Sequence, residues 1–265
     1  MCTTAINNYM DYKKAIKKSG YGYESHNAIV KDKLKESTVV ATILILLVIA
    51  SVTGVFLVLN TNIIVFFIGG LSFLVGILYS FGPVPISRMP LGEVFSGLFM
   101  GFVIILVSTL IHTGNAELLW LEYAGGLVSI RFDLWELVYL FLISAPAILC
   151  IANIMLANNI CDIEDDLENR RYTLPIYIGK PAALVLFRVL YYLSFIDLIV
   201  LCLLGVNPLL LIIGLVAYIP VFKNIKAFMN LQSKQHTFAL AVKNFIILNA
   251  GRIVVIGAAA ALKLM

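Results

Sequence analysis

The chain has 265 residues, of which 61% are hydrophobic and 13% are charged, and its formal net charge is +4. The core of a soluble protein of this size could not bury all the apolar surface that these residues carry. The composition therefore excludes an ordinary soluble fold and favours a membrane protein. The four cysteines have no paired spacing, which argues against a disulfide framework and against a Cys-x-x-Cys metal site.

Seven apolar runs are long enough to be transmembrane helices, since about 20 helical residues cross the hydrocarbon layer. They cover residues 38–59, 62–80, 92–112, 134–157, 182–205, 208–222 and 237–262. The sixth run is short and contains Pro220, which predicts a kink or an extension toward Phe228. Because the runs are too long and too uniformly apolar for barrel strands, the predicted fold class is all-α, a polytopic transmembrane helical bundle.

Lysines and arginines are divided unevenly between the two sets of loops. The first set holds 14 of them and consists of residues 11–37, 81–91, 158–181 and 223–236. The opposite set holds only Arg131 and Lys263, and it includes a predicted loop over residues 113–133. The positive-inside rule places the first set in the cytoplasm. We therefore predict a multi-pass protein of the cell membrane whose functional site faces the cytoplasm.

An Asn-Asn pair followed by an aspartate occurs twice. Asn7 and Asp11 have the same spacing as Asn158 and Asp162, and each copy is predicted to end an apolar helix at the cytoplasmic face. Two copies in one orientation indicate two halves related by an axis along the membrane normal. The alternative is a chance match in a sequence of low complexity.

The second copy begins a run of carboxylates, since five of the seven residues from Asp162 to Glu168 are acidic. On a helix that continues the fourth span, Asn158, Asp162 and Asp166 are i, i+4 neighbours on one face. Oxygen ligands at that spacing suit Mg²⁺, whose coordination shell is commonly completed by substrate phosphates. With basic residues nearby, the pattern favours a ligand that has a diphosphate head and a long apolar tail. A solvated charged loop is the alternative.

Three segments resemble motifs of the UbiA-type intramembrane prenyltransferases. NNICDIEDDLENRRYTLPIYIGK, residues 158–180, is similar to the second aspartate motif, above all in the branch that prenylates 1,4-dihydroxy-2-naphthoate in menaquinone synthesis. NNYMDYKKAIKKSGYG, residues 7–22, resembles the first motif, and YSFGPVPISRMPLGEVF, residues 79–95, resembles the third loop of that branch. The matching positions are Asn7, Asp11, Lys13, Gly82, Pro83, Pro85, Leu91, Gly92, Glu93, Asn158, Asn159, Asp162, Asp166, Thr173, Leu174 and Gly179. Three motifs in the family's order on one predicted face make the resemblance specific.

The resemblance implies a nine-helix fold around a central cavity, of which this chain carries about seven spans. We expect a single domain over residues 1–265, with pseudo-two-fold halves at 1–133 and 134–265. The implied activity is Mg²⁺-dependent transfer of a polyprenyl group from an isoprenoid diphosphate to an aromatic acid. The expected acceptor is 1,4-dihydroxy-2-naphthoate, which gives demethylmenaquinone. The expected partners are thus the polyprenyl diphosphate, the aromatic acid and the lipid bilayer, with no nucleic acid.

The resemblance also implies roles for individual residues. The Mg²⁺ ligands it implies are Asn7, Asp11, Asn158, Asp162 and Asp166, and the three aspartates among them are the catalytic residues. The residues it implies for binding the diphosphate are Asn7, Lys13, Lys17, Lys31, Asn158, Arg170 and Arg171, with Arg171 favoured because the family has a basic residue there. The cations stabilise charge on the departing diphosphate, while a dry cavity protects the allylic cation from water.

The first motif departs from the family pattern. Asn8, Ala15 and Lys17 occupy positions that are usually acidic, so Asp11 is the only carboxylate in this copy. We expect weaker Mg²⁺ binding in this half, with Lys17 contacting a phosphate oxygen instead. In the second motif, Cys161 and Leu167 replace arginines that are common in the branch.

The start of the chain also differs, because the family has one and a half further helices before the first motif. Only six residues precede Asn7. We expect Met1 to be an internal methionine of a longer reading frame, or the chain to be a fragment, with about 35 to 45 further residues upstream.

Three alternatives remain open. In the first, the acceptor is another aromatic acid, such as 4-hydroxybenzoate or homogentisate. In the second, the chain is a degenerate relative without activity. In the third, the chain is a transporter with Asp162, Asp166 and Arg252 on an ion pathway. A transporter should carry its carboxylates near the bilayer midplane, whereas these lie at predicted helix ends. Arg252 and Asp197 are ionisable residues inside spans, where inward-facing function is the default hypothesis.

Overall fold

The computed structural model of the chain describes residues 2–16, 27–83, 85–113 and 118–264. The elements, in chain order, are the helices α1 (Cys2–Lys14), α2 (Ala28–Lys31), α3 (Glu36–Leu59), α4 (Ile63–Ser80) and α5 (Gly92–His112), the strands β1 (Leu119–Ala124) and β2 (Leu127–Phe132), and the helices α6 (Leu134–Ile143), α7 (Ala145–Cys161), α8 (Ile163–Glu168), α9 (Leu174–Ile178), α10 (Lys180–Leu193), α11 (Ile196–Leu203), α12 (Pro208–Asn230) and α13 (Phe238–Leu264). A 3₁₀ turn covers Ile86–Arg88, and Gly97–Val103 within α5 is π-helical. The predicted phosphate contact of Lys17 lies outside the described residues.

Six of the described helical segments are long and apolar enough to cross a membrane: α3, α4, α5, α10 with α11, α12, and α13. The pair α6 and α7 makes a seventh if it counts as one span bent by 49°. The bend follows from Pro146, whose ring lacks an N–H and clashes with the preceding turn. The sixth span continues through Pro220 to Asn230, so the predicted extension is present. The predicted fold class, a polytopic helical membrane bundle, is confirmed.

A β-hairpin occupies much of the segment 113–133, for which the sequence predicted only a loop between two spans. The strands β1 and β2 pair antiparallel from Leu119 opposite Phe132 to Ala124 opposite Leu127. Gly125 and Gly126 form the two-residue turn, with φ of 59° and 81°. Two consecutive positive φ angles are what the commonest tight hairpin turn requires, and glycine adopts them without a steric cost.

Two compact units make up the chain. The first comprises Met1–Gly92, Val107–Asp133 and Glu164–Thr173. In its core, Ile29, Val39 and Ile43 pack against apolar residues of α1. Val39 and Ile43 are the only buried residues of α3, so most of the apolar surface of this span is exposed, as expected for a helix that contacts lipid.

The second unit comprises Glu93–Leu106, Leu134–Ile163 and Leu174–Met265. Its core is formed by α7, α10, α12 and α13, and the largest buried side chains include Phe187, Tyr191, Tyr218 and Phe228. The units follow the predicted halves 1–133 and 134–265 except for residues 93–106 and 164–173. The predicted pseudo-two-fold relation stays a prediction.

A buried ion pair lies inside the second unit. Arg252 of α13 donates to both carboxylate oxygens of Asp197, which is in the first turn of α11. The same guanidinium donates to the Tyr218 hydroxyl at 3.1 Å and to the Gly214 carbonyl at 3.4 Å. Tyr218 in turn shares a hydrogen bond of 2.8 Å with Ser194. The two ionisable residues noted inside the spans thus neutralise each other.

Two glycines of α5 allow a close backbone approach to α7. A Cβ at Gly101 would lie 2.5 Å from the Cα of Ile148, and one at Gly97 would lie 2.8 Å from the Ile148 carbonyl oxygen. The two are four residues apart, the small-xxx-small spacing that lets membrane helices pack tightly.

We expect Gly101→Ala to destabilise the protein by about 1–3 kcal/mol through overpacking. The matched control is Gly70→Ala in α4, where an added Cβ would meet no heavy atom within 4 Å. Thermal unfolding of both variants in the same detergent measures the difference. Equal unfolding temperatures for the two variants would show that the contact is not tight.

Candidate active site

The first aspartate motif lies in the middle of a helix. The helix α1 runs from Cys2 to Lys14, so it ends three residues after Asp11 rather than at the motif itself. The i, i+4 spacing brings the two motif side chains together, with the Asn7 amide nitrogen donating to an Asp11 carboxylate oxygen at 3.2 Å. The Asn7 amide oxygen accepts a hydrogen bond of 3.0 Å from Ser80. This bond fixes the amide so that its nitrogen points at Asp11.

Arg171 connects the first motif with part of the second. Its guanidinium lies 3.4 Å from an Asp11 oxygen and 3.2 Å from an Asp166 oxygen. Asp166 is buried, and its other oxygen accepts a hydrogen bond of 3.1 Å from Thr173. Two carboxylates from distant parts of the sequence therefore share one cation. We call Asn7, Asp11, Asp166, Arg171 and Thr173 the Arg171 cluster.

Arg88 adds a second guanidinium to this region. Its carbonyl oxygen accepts a hydrogen bond of 3.1 Å from the backbone N–H of Tyr172, which ties the third-loop segment to the second motif. Burial lowers the pKa of Arg88, and the nearby Arg171 charge lowers it further, while Asp11 and Asp166 raise it. An arginine stays protonated under such shifts because its ordinary pKa lies far above neutral pH. The sequence analysis assigned no role to Arg88, although it lies within the matched third-loop segment.

The second motif does not form one continuous helix, so the predicted alignment of Asn158, Asp162 and Asp166 on a single face is wrong. The helix α7 ends at Cys161, and α8 begins at Ile163. The break places Glu164, Asp165 and Asp166 in a first helical turn. Carboxylates are stabilised at a helix N-terminus and destabilised at a C-terminus, which accounts for the restart.

Lys234 contacts two residues of the second motif, Asn158 and Asp162. Its ammonium donates to the Asn158 amide oxygen and to an Asp162 carboxylate oxygen, and it lies 5.3 Å from the centre of the Phe238 ring. Lys234 is in the connection between α12 and α13. In the sequence Lys234 is only one of several loop charges, since nothing there links it to a motif more than 70 residues away. We call Asn158, Asp162 and Lys234 the Lys234 cluster.

A buried carboxylate lies beside the second motif. Asn159 donates a hydrogen bond of 2.8 Å to one oxygen of Glu93, and both side chains are buried. The other Glu93 oxygen has no hydrogen-bond partner among the described residues. Buried polar atoms without a partner are rare, and they often mark functional positions. Both residues match the resembling motifs, but neither was predicted as a site residue.

A model of the UbiA prenyltransferase family matches residues 1–249. The chain belongs to the UbiA prenyltransferase family. It is 30% identical over 219 residues to the 1,4-dihydroxy-2-naphthoate octaprenyltransferase of Bacillus subtilis (strain 168), a match that covers 81% of this chain and 63% of that relative. The apo structure of a UbiA homolog from Aeropyrum pernix K1 has the same fold, with a TM-score of 0.64 at 16% identity over 100% of this chain and 85% of that one. The predicted family is confirmed.

Three further predicted site residues of this UbiA-family chain, Lys13, Lys31 and Arg170, are not members of either cluster. Lys13 pairs with Glu36, and this hydrogen bond raises the pKa of the lysine. Lys31 is exposed in the last turn of α2. Arg170 is exposed and has a positive φ of 54°. Their contacts with a diphosphate stay predictions, as does that of Lys17.

The donor sets of the two clusters suit a hard cation. The described residues contain no group of three or more His, Cys, Asp or Glu side chains placed to hold a metal ion. The Lys234 cluster instead offers an amide oxygen and one carboxylate, and the Arg171 cluster offers two carboxylates. The Asn7 amide oxygen accepts from Ser80, so its binding of Mg²⁺ stays a prediction. Mg²⁺ commonly takes few protein ligands and completes its shell with water and phosphate oxygens. The side-chain oxygens of Asn158 and Asp162 both accept from the Lys234 ammonium. Asn158 and Asp162 therefore already bind one cation together.

Proposed function

We propose that this protein transfers a polyprenyl group from an isoprenoid diphosphate to an aromatic acid. The observation that carries the proposal is the pairing of motif oxygens with basic side chains, Asp11 and Asp166 with Arg171, and Asn158 and Asp162 with Lys234. A diphosphate ester needs both kinds of group, oxygen ligands for its metal and cations for its own charge. Membership of the UbiA prenyltransferase family is consistent with this chemistry.

Each cluster has a distinct part in this proposal. Asn158 and Asp162, and likewise Asp11 and Asp166, would hold Mg²⁺, which neutralises charge on the diphosphate oxygens when bound. Asn7 would join them only if its amide turned its oxygen from Ser80 toward Asp11. The Lys234 ammonium donates to the diphosphate as a compact charge, and Arg171 donates through the N–H groups of its planar guanidinium. Charge-assisted donors of this kind stabilise the leaving group as its carbon–oxygen bond breaks.

The attack of the acceptor on the prenyl group needs a site without water and an electron-rich aromatic ring. When the diphosphate leaves, an allylic cation remains, and a ring carbon of the acceptor forms the new carbon–carbon bond. Apolar helices exclude the water that would otherwise quench the cation. We propose 1,4-dihydroxy-2-naphthoate as the acceptor, with loss of its carboxylate as CO₂, because the Bacillus subtilis relative carries that name. The buried carboxylate of Glu93 is available to accept a hydroxyl hydrogen bond.

The distribution of basic residues supports a cytoplasmic location of the reaction. The segments that supply Arg88, Arg171 and Lys234 all belong to the loops that the positive-inside rule places in the cytoplasm of the cell. A transporter that uses Arg252 on an ion pathway is disfavoured, because this guanidinium is buried and paired with Asp197.

One assay tests the reaction and the acceptor together. Purified protein in lipid is given Mg²⁺, a labelled polyprenyl diphosphate, and 1,4-dihydroxy-2-naphthoate, 4-hydroxybenzoate or homogentisate in separate reactions. We expect a labelled apolar product with the naphthoate only, and none after chelation of Mg²⁺. Product with another acid would contradict the acceptor, and no product with any acid would contradict the reaction.

Lys234→Met is expected to raise the KM for the prenyl diphosphate at least about tenfold, because a hydrogen bond to a charged group contributes about 1.5–3 kcal/mol. Lys226→Met is the matched control, since Lys226 is an exposed lysine near the end of α12. Initial rates over a range of diphosphate concentrations give both KM values. An unchanged KM in Lys234→Met would remove Lys234 from the substrate site.

A further inference from the structure

The β-hairpin has one face that is entirely apolar. Cross-strand partners point to the same face of a sheet, and successive residues alternate between faces. One face therefore carries Leu119, Leu121, Tyr123, Val128, Ile130 and Phe132. The other face carries Trp120, Glu122, Ala124, Leu127, Ser129 and Arg131. The charged side chains of both strands lie on the second face only.

The apolar face is largely uncovered by the protein. Tyr123 is 72% exposed, Val128 62%, Ile130 58% and Phe132 56%. Leu119 and Leu121, at the base of the hairpin where β1 contacts α4, are partly buried. Tyr123, Val128, Ile130 and Phe132 thus form one contiguous apolar strip. A strip of four large side chains is typical of an interaction surface, unlike single apolar residues scattered over a protein.

The backbone of the hairpin restricts what can cover this strip. It is a two-stranded sheet, so each strand has an edge whose N–H and C=O groups are not paired within the sheet. Open sheet edges do not occur within the hydrocarbon region of a bilayer, because nothing there satisfies those groups. Water alone, in turn, is a poor solvent for the apolar face. The headgroup region at the boundary of the acyl chains satisfies both requirements.

The chain connectivity keeps the hairpin next to the start of α6. A single residue, Asp133, separates the end of β2 from the start of α6 at Leu134, and β1 begins seven residues after α5 ends at His112. The first turn of α6 exposes Trp135, an aromatic residue of the kind enriched where a helix enters the bilayer. The strip is thus continuous along the chain with surfaces that contact lipid.

We propose that the hairpin is a membrane-interface anchor, with the strip of Tyr123, Val128, Ile130 and Phe132 inserted among the lipid headgroups and upper acyl chains. Glu122 and Arg131 on the opposite face balance each other in charge. The hairpin therefore needs no anionic lipid, and a zwitterionic bilayer is a sufficient partner. This anchor lies outside both clusters of motif residues.

Three consecutive positions provide the test. Single cysteines replace Val128, Ser129 or Ile130 in the full chain after substitution of the native cysteines, and each carries an environment-sensitive fluorophore. The protein is placed in phosphatidylcholine nanodiscs loaded with one chain each. Ser129 is the matched control, because it points to the other face between the two test positions.

The anchor predicts alternation along the strand. Labels at 128 and 130 should emit at shorter wavelength, be quenched by a nitroxide lipid and be protected from aqueous iodide, while the label at 129 should show the reverse. Equal iodide quenching at all three positions would overturn the proposal. Protection at 128 and 130 without quenching by the nitroxide lipid would also overturn it, since protein would then cover the strip. Monodisperse elution of each labelled protein verifies folding.

Discussion

Asp162→Asn is expected to abolish prenyl transfer while the protein remains folded. The substitution keeps an oxygen that can accept from Lys234 but removes the negative charge that binds a divalent cation. A rate decrease of about a thousandfold corresponds to about 4 kcal/mol of transition-state stabilisation. Steady-state transfer with a labelled prenyl diphosphate measures the rate, and size-exclusion elution in detergent verifies the fold. Asp166→Asn should have the same effect through the Arg171 cluster.

The control for a general change of charge is Glu164→Gln. Glu164 is an exposed carboxylate in the first turn of α8, between the two aspartates in sequence. It should retain activity within a few-fold of the unsubstituted protein. Activity within a few-fold in both Asp162→Asn and Asp166→Asn would refute the assignment of these residues.

Arg252→Leu is expected to destabilise the protein by about 3–5 kcal/mol, because it leaves the buried Asp197 carboxylate without its cation. The double variant Arg252→Leu with Asp197→Leu should recover most of that loss, since a buried ion pair is often replaceable by apolar residues of similar volume. Thermal unfolding in one detergent compares the single and double variants.

Lys243→Leu provides the control for the loss of a positive charge from α13. Lys243 is exposed on the same helix, and its replacement should leave the unfolding temperature nearly unchanged. If Arg252→Leu unfolds at the same temperature as Lys243→Leu, the ion pair does not stabilise the second unit.

The spans and the family were predictable from the sequence, because both depend on local information. A helix must provide about 20 apolar residues to cross a bilayer, so hydropathy alone located each span that the structure describes. The hairpin was also visible as a Gly125–Gly126 pair between alternating apolar residues, but the prediction treated 113–133 as a loop.

The partners of the motif residues were not predictable. Asp162 and Asp166 are four apart, yet one pairs with Lys234 and the other with Arg171, because the helix is interrupted between Cys161 and Ile163. Similarly, Asp197 and Arg252 were each noted as ionisable residues inside spans, but they lie 55 positions apart. Contacts of this separation depend on how helices pack, and one sequence contains no direct signal for it.

The ion pair between Asp11 and Arg171 also has a consequence for biosynthesis. Its members are 160 positions apart, so at about 5–20 residues per second the ribosome adds Arg171 roughly 8–32 s after Asp11. During that interval α1 has neither the guanidinium nor the segment Glu164–Thr173 that completes its compact unit. The first unit therefore reaches its native state only after translation of the second motif.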